Sequence, residues 1–215
     1  MTEMKVFSPC KITIMKTDFN LTIPNLKVSD SRKEILQPLV QYLQGKVDRN
    51  ETIRLNFICT HNSRRSHLAQ IWAQAMAHQI GIRNFFSYSG GTESTAVFPV
   101  VLEVLEKQGF QIQALSHSEN PVYSIKYASN EMPLICFSKE YHHPFNPKGE
   151  FAAVLTCDSA DEGCPLVLGA DARFPIKYQD PKIFDGTDLQ KRKYTERSLE
   201  IASEMYWIFN SIKFQ

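Results

Sequence analysis

Residues 52–66, Thr-Ile-Arg-Leu-Asn-Phe-Ile-Cys-Thr-His-Asn-Ser-Arg-Arg-Ser, constrain the fold more than any other stretch: an apolar run ends in Cys59, and Arg65 follows six positions later. An amphipathic helix opens at once after Ser66. A strand that ends in a thiol, turns through a small polar loop and starts a helix surrounds the sulfur with backbone N–H groups and a positive dipole end. Such a cup suits a tetrahedral oxyanion, and an arginine beside the sulfur favours the nucleophilic thiolate over the thiol. A lone thiol at a strand end is commonly just a small buried apolar group. Asn62, Arg65 and Ser66 at fixed spacing from Cys59 favour the catalytic reading.

The rest of the composition narrows the setting. With 215 residues the chain can bury a sizeable core in one domain. Its 24 Lys+Arg nearly balance 23 Asp+Glu, and no block of like charge occurs, so nucleic acid and anionic membrane are poor partners. No secretory-type start and no membrane-length apolar run is read, which predicts a cytoplasmic protein with reduced thiols. In that setting Cys10, Cys59, Cys136, Cys157 and Cys164 do not form a static disulfide framework. Cys10 is taken as structural.

Hydrophobic periodicity predicts alternating elements. Ser31 with Glu34 makes a capping-box signal for a helix whose face carries Ile35, Leu36, Leu39, Val40 and Leu43, bent by Pro38 and ending near Gly45. A buried strand over 52–58 precedes a helix with Leu68, Ile71, Trp72, Ala75, Met76 and Ile80 on one side. A strand over 85–89, closed by Gly90-Gly91, leads to a helix from Val97 to Gly109. Residues 116–150 read as irregular apart from a buried strand near 133–137 and a surface turn at 141–144. Strands over 152–156 and 174–178 follow, then a last helix capped by Thr187 or Asp188, with Ile201, Met205, Ile208, Phe209 and Ile212 inward. This alternation predicts an α/β fold, a three-layer α/β/α arrangement around a central, mostly parallel four-stranded sheet. Residues 1–50 form an N-terminal extension with an added helix, and 51–215 the catalytic domain.

In such sheets the site lies at the carboxyl ends of the strands, where Cys59, Cys157 and Asp180 each follow a predicted strand. Cys157 and Cys164 stand seven positions apart, a spacing foreign to the usual zinc pair, so a zinc site with His142 or His143 is disfavoured and no metal is assigned. Were the segment helical, the two would stand about 10 Å apart along the axis, beyond the roughly 7 Å Cα separation a disulfide spans. A bond between them requires rearrangement, which suits a switch closing during turnover. Asp180 before Pro181 is an ordinary turn residue on its own. Placed opposite a sulfur nucleophile, it would be an acid for a poor leaving group.

These residues resemble the superfamily of low-molecular-weight protein tyrosine phosphatases and thioredoxin-coupled arsenate reductases. Cys59-Thr-His-Asn-Ser-Arg-Arg65-Ser66 is similar to its catalytic loop, and Ser89-Gly-Gly-Thr-Glu93 and Asp180-Pro181 also match, so the resemblance spans about residues 52–215. Thr156-Cys157-Asp-Ser-Ala-Asp-Glu-Gly-Cys164-Pro165 is similar to the redox segment of the reductases and is foreign to the phosphatase pattern. The resemblance implies the low-molecular-weight phosphatase fold. It also implies that Thr60, His61, Asn62, Ser63, Arg64, Arg65 and Ser66 line the oxyanion. Cys59 would attack arsenate with Asp180 aiding departure of hydroxide, Cys157 would form a disulfide with Cys59 as arsenite leaves, and Cys164 would resolve it. The resemblance further implies that Ser66 holds the thiolate, that Asn62 shapes the loop and that thioredoxin is the external reductant with no bound cofactor.

Four positions depart from the pattern. His61 stands where the family usually has Gly, Arg64 where many members have a second Cys, Gln70 where some reductases use a Glu to hold potassium, and Lys182 where phosphatases carry an aromatic residue. The leading expectation is an arsenate reductase. A phosphatase with a redox-regulatory cysteine pair, and a non-catalytic oxyanion-binding or redox-sensing protein, are the alternatives.

Overall fold

A computed structural model describes residues 27–163 and 166–214 of the chain. Cys10, the β-prone piece 11–15 and Cys164 lie outside the described residues. The chain opens with α1 (Asp30–Asp48), then β1 (Ile53–Cys59), α2 (Arg65–Ile80), β2 (Phe85–Gly91) and α3 (Pro99–Lys107). Three short strands follow, β3 (Gln111–Ala114), β4 (Tyr123–Lys126) and β5 (Leu134–Cys136). The second half holds β6 (Phe151–Leu155), α4 (Asp158–Gly163), β7 (Ala170–Pro175), a 3₁₀ turn (Pro181–Phe184) and α5 (Gln190–Asn210).

The central sheet has four parallel strands in the order β2-β1-β6-β7, as expected. Side chains alternate across it and split the core in two. Leu55, Phe57, Ala152 and Val154 share one apolar cluster with α1, α2, α3 and α5. Ile58, Ala153 and Leu155 belong to a smaller cluster with Cys59, Cys157, Ala160 and Val167. The sheet is therefore flanked by helices on both faces, four on one and the short α4 on the other. α2 is buried along nearly its whole length, from Arg65 to Ala77, because it packs on β1, β2 and α5.

Several boundaries differ from the sequence reading, each for a local reason. Ser29, not Ser31, caps α1, its Oγ accepting from Arg32 N at 3.3 Å. Pro38 does not end that helix, which runs on to Asp48. The ring lies on the exposed side, opposite Leu36, Leu39, Val40 and Leu43, while Ile35 turns outward at 48% exposure. α5 starts at Gln190 without a side-chain cap, and Thr187 instead accepts from Leu189 N within the preceding turn. β7 lies upstream of the predicted 174–178, yet Ile176 N and Tyr178 N still bond Leu155 O and Thr156 O and so prolong the ladder irregularly.

The largest difference is in 111–136. Here β3, β4 and β5 form an antiparallel sheet, with Ile112 opposite Ile125 and Ile125 opposite Leu134. β5 falls within the strand expected near 133–137, whereas β3 and β4, four residues each with Gln, Ser and Lys among the apolar positions, carry too little alternation to be read from sequence. Among the described residues no helix is long and apolar enough to cross a membrane.

Candidate active site

β1 delivers Cys59, 3% exposed, to the loop that opens α2. Every carbonyl from 59 to 63 is claimed from outside the loop. Cys59 O accepts from Thr92 N (3.1 Å), Thr60 O from Glu93 N (2.8 Å) and Ser63 O from Phe98 N (3.0 Å). His61 O accepts from Ser138 Oγ at 2.9 Å, and Asn62 O bonds His67 Nε2 at 2.9 Å. With those carbonyls turned outward, the loop's N–H groups are left for the cup around the sulfur, joined by the first turn of α2, whose N-cap residue Arg64 makes no side-chain cap.

Asn62 holds this shape. Its φ of 44° puts it in the left-handed region, which Asn tolerates better than most side chains. Its Oδ1 accepts from Lys139 N at 2.9 Å and its Nδ2 donates to Ser66 Oγ at 2.8 Å. Ser66 thereby has an acceptor lone pair occupied and keeps its hydroxyl hydrogen for Cys59 Sγ, 3.1 Å away, the orientation a thiolate needs. His61, in the place of the usual Gly, takes no left-handed backbone. Its ring lies 3.6 Å from Glu93 at the rim. Gly91 is needed where it stands, since a Cβ there would meet Thr60 O at 2.5 Å and Asn62 N at 2.7 Å.

His67 was not singled out from sequence, yet it is fully buried beneath the loop. Asn62 O can only accept, so Nε2 carries the proton and Nδ1 is left to accept from Ser89 Oγ at 3.3 Å. Burial, then the Lys139 cation, lowers its pKa to about 3, so the ring stays neutral. Lys139 is itself buried; desolvation lowers its pKa to about 8, and its Nζ lies over the rings of Phe137 (4.7 Å) and Phe145 (5.4 Å).

Arg65 reaches two residues at once. Its guanidinium donates to Tyr178 O at 3.0 Å and to Asp180 Oδ2 at 2.5 Å. Asp180 also caps the 3₁₀ turn through Lys182 N at 3.0 Å. Arg64, expected to line the oxyanion, turns its side chain elsewhere. It donates to Asp185 Oδ2 (2.6 Å) and Tyr194 Oη (2.5 Å) and lies 4.1 Å from the Phe98 ring centroid. The two neighbouring arginines thus grip both ends of the turn that carries Asp180. Gln70, at the position where some reductases use Glu, is buried and donates to Ser87 O at 3.1 Å.

Cys157 lies two residues past the end of β6, the strand beside the one that ends in Cys59, for β1 and β6 pair in register at Ile58 and Leu155. It is buried in the same small cluster as Cys59, with Thr60 Oγ1 3.5 Å from its sulfur. Ala160 N donates to that sulfur at 3.3 Å, at the opening of α4. The structure therefore gathers Cys59, Asn62, Arg65, Ser66, Asp180 and Cys157 at one rim. Cys136 lies apart in the main core, where burial pushes its thiol up to about 12, and His142 pairs with Glu140 on the surface.

No curated protein matches the chain. Among solved structures, a low-molecular-weight protein tyrosine phosphatase from T. tengcongensis is 20% identical, with a TM-score of 0.48, covering 71% of this chain and 95% of its own. An arsenate reductase from Archaeoglobus fulgidus is also 20% identical, with a TM-score of 0.43 and coverage of 73% and 98%. An arginine phosphatase from Geobacillus stearothermophilus is 16% identical, with a TM-score of 0.45 and coverage of 74% and 91%. Likenesses this distant decide nothing about substrate. The sequence model of the family described as low molecular weight phosphotyrosine protein phosphatase matches residues 54–136, a segment that contains the Cys59 loop. The match covers well under half of the chain's length and includes the loop whose residues resemble that family.

Proposed function

We propose that this protein reduces arsenate to arsenite through a relay of Cys59, Cys157 and Cys164. The observation that carries the reading is the placement of a second thiol, Cys157, two residues past the strand next to that of Cys59, in the same buried cluster as Cys59 and within reach of Thr60. A phosphatase needs only the first thiol and water.

In the relay, the Cys59 thiolate attacks arsenic(V) bound by the loop N–H groups and by Arg65, which exchanges Asp180 for the oxyanion. A sulfur–arsenic bond forms as the bond from arsenic to a hydroxyl of the protonated arsenate breaks, and that hydroxyl leaves as water by taking one proton from Asp180 in its acid form. The Cys157 thiolate then attacks Cys59 Sγ. The sulfur–sulfur bond forms as the sulfur–arsenic bond breaks, and its electron pair stays on arsenic, which leaves as arsenic(III). Cys164 attacks Cys157, restoring the Cys59 thiolate, and a dithiol protein such as thioredoxin reduces the Cys157–Cys164 disulfide. Two thiols supply the two electrons, so no bound cofactor takes part, and the chemistry belongs in a reducing cytoplasm.

The test is arsenate-dependent NADPH oxidation coupled through thioredoxin and its reductase. Turnover is expected with the native chain and is lost in Cys157→Ser and in Cys164→Ser. A second reading, a phosphatase acting through a Cys59 phosphoenzyme, is favoured by the description of the matched family model. Hydrolysis of an aryl phosphate unaffected by either substitution, with no arsenate turnover, would establish it instead.

A further inference from the structure

We infer that α1, the helix of the N-terminal extension, positions the oxyanion-binding arginine through a buried triad of Arg32, Glu204 and Tyr178. The inference rests on the reading of Arg65 as the oxyanion-binding cation, which the reductase and the phosphatase share. Arg32 sits in the first turns of α1 and reaches across to α5, where its Nε and Nη2 donate to the two oxygens of Glu204 at 2.7 and 3.0 Å. Glu204 is 3% exposed, and the bidentate guanidinium offsets much of the cost of burying its carboxylate. Its Oε2 also accepts from the Tyr178 hydroxyl at 2.7 Å, and the Arg32 guanidinium lies 5.0 Å from the Tyr178 ring centroid. Burial and the Glu204 carboxylate push the Tyr178 phenol well up, which keeps its hydroxyl protonated as the donor.

Tyr178 is the junction between this triad and the site. Its N–H donates to Thr156 O, the residue before Cys157, at 3.1 Å, and its carbonyl accepts from Arg65 Nη1 at 3.0 Å. Two residues on, Asp180 takes the other arm of the same guanidinium. The Tyr178 side chain is bolted to α1 and α5 while its backbone sets where Arg65 points, so a shift of the ring becomes a shift of the cation. Arg32 and Glu204 are positioning residues, since neither touches the cup. They lie 172 positions apart, and neither belongs to a recognisable motif.

The experiment uses Arg32→Met, which keeps the aliphatic length of the side chain but removes the guanidinium, with Arg32→Lys as the conservative variant. Titration with inorganic phosphate is run on the full chain at a temperature well below the melting point of each variant. Arg32→Met is expected to bind phosphate about tenfold more weakly than the native chain, with partial recovery in Arg32→Lys, because small misplacements of a binding group are costly. Equal phosphate affinity in a folded Arg32→Met variant would overturn the inference and leave α1 a purely stabilising helix. If the native chain itself binds no phosphate, it is the reading of Arg65 that fails. Positioning is then decided by a crystal structure of Arg32→Met: displacement of the Tyr178 carbonyl from Arg65 supports it, and an unchanged contact overturns it.

Discussion

The Cys59 loop and the Cys157 segment stand side by side on one rim but are held in opposite ways. The loop is over-determined: five carbonyls bonded from outside, Asn62 tied through three groups, His67 buried beneath it and Gly91 pressed against it. α4 is six residues long: Ala160 anchors it in the small apolar cluster and Arg173 pairs with Asp161, while Lys177 lies 3.0 Å from Asp158 and 2.7 Å from Asp161. Exposed pairs of that kind contribute little to stability. In the proposed relay this contrast divides the labour: the cup is preorganised, and the short segment bearing the second thiol rearranges.

Substitutions break or sharpen this contrast in a graded way. Cys59→Ser should lower any turnover by more than about 10⁴-fold while leaving the fold intact, since Cys59 Sγ makes the first attack on the oxyanion in either enzymatic reading. Steady-state rates beside a thermal melt check this. Gly91→Ala should cost about 3 kcal/mol and abolish phosphate binding, because the new Cβ lies within 2.7 Å of the loop backbone at Thr60 and Asn62. A variant that melts and binds as the native chain does would show that the loop is more pliant than the contacts imply.

Acid should act on the rigid region. His67 has its folded pKa lowered to about 3 from an ordinary 6.5, so the unfolded chain binds the extra proton between those values. Stability from this group is complete above about pH 6.5 and falls with a slope of about 1.4 kcal/mol per pH unit as pH drops towards 3. His67→Gln should remove that slope from a plot of denaturant-derived stability against pH. Lys139, also depressed, works in the alkaline range: its contribution rises with pH from about 8 towards 10.5. Lys139→Met should therefore raise the melting temperature at pH 7 by a few degrees, while the backbone hydrogen bond from residue 139 to Asn62 persists. The smallest effect is expected from Lys177→Ala, a shift in melting temperature of no more than about 2 °C. A large loss there would show that α4 is fixed as firmly as the loop.

The two regions also differed in how far they could be read in advance. The meeting of Cys59, Arg65 and Ser66 was legible because it follows from spacing along one strand-loop-helix unit, the strand before Cys59 because Ile53, Leu55 and Phe57 alternate along it, and the strand before Cys157 because it is a continuous apolar run. Arg64 was legible as a charge beside the site but not as a clamp, since its partners Asp185 and Tyr194 lie 121 and 130 positions away. His67 was hidden inside the apolar stripe of α2, where only its contact with the Asn62 carbonyl reveals a role. Tyr178 acts through its backbone carbonyl, a group every residue has, so no sequence signal marks it. Of the sheet of β3, β4 and β5 only β5 was expected, and β3 and β4 escaped because they are short and polar on one side.

The relay itself is tested most directly by trapping its first disulfide. Cys164→Ser, reduced, freed of reductant and exposed to arsenate, should accumulate a Cys59–Cys157 disulfide in about one equivalent, seen as a cross-linked peptide by mass spectrometry and absent when phosphate replaces arsenate. Release of one equivalent of arsenite should accompany it. If Cys59 and Cys157 remain as free thiols after arsenate is added, the relay is contradicted.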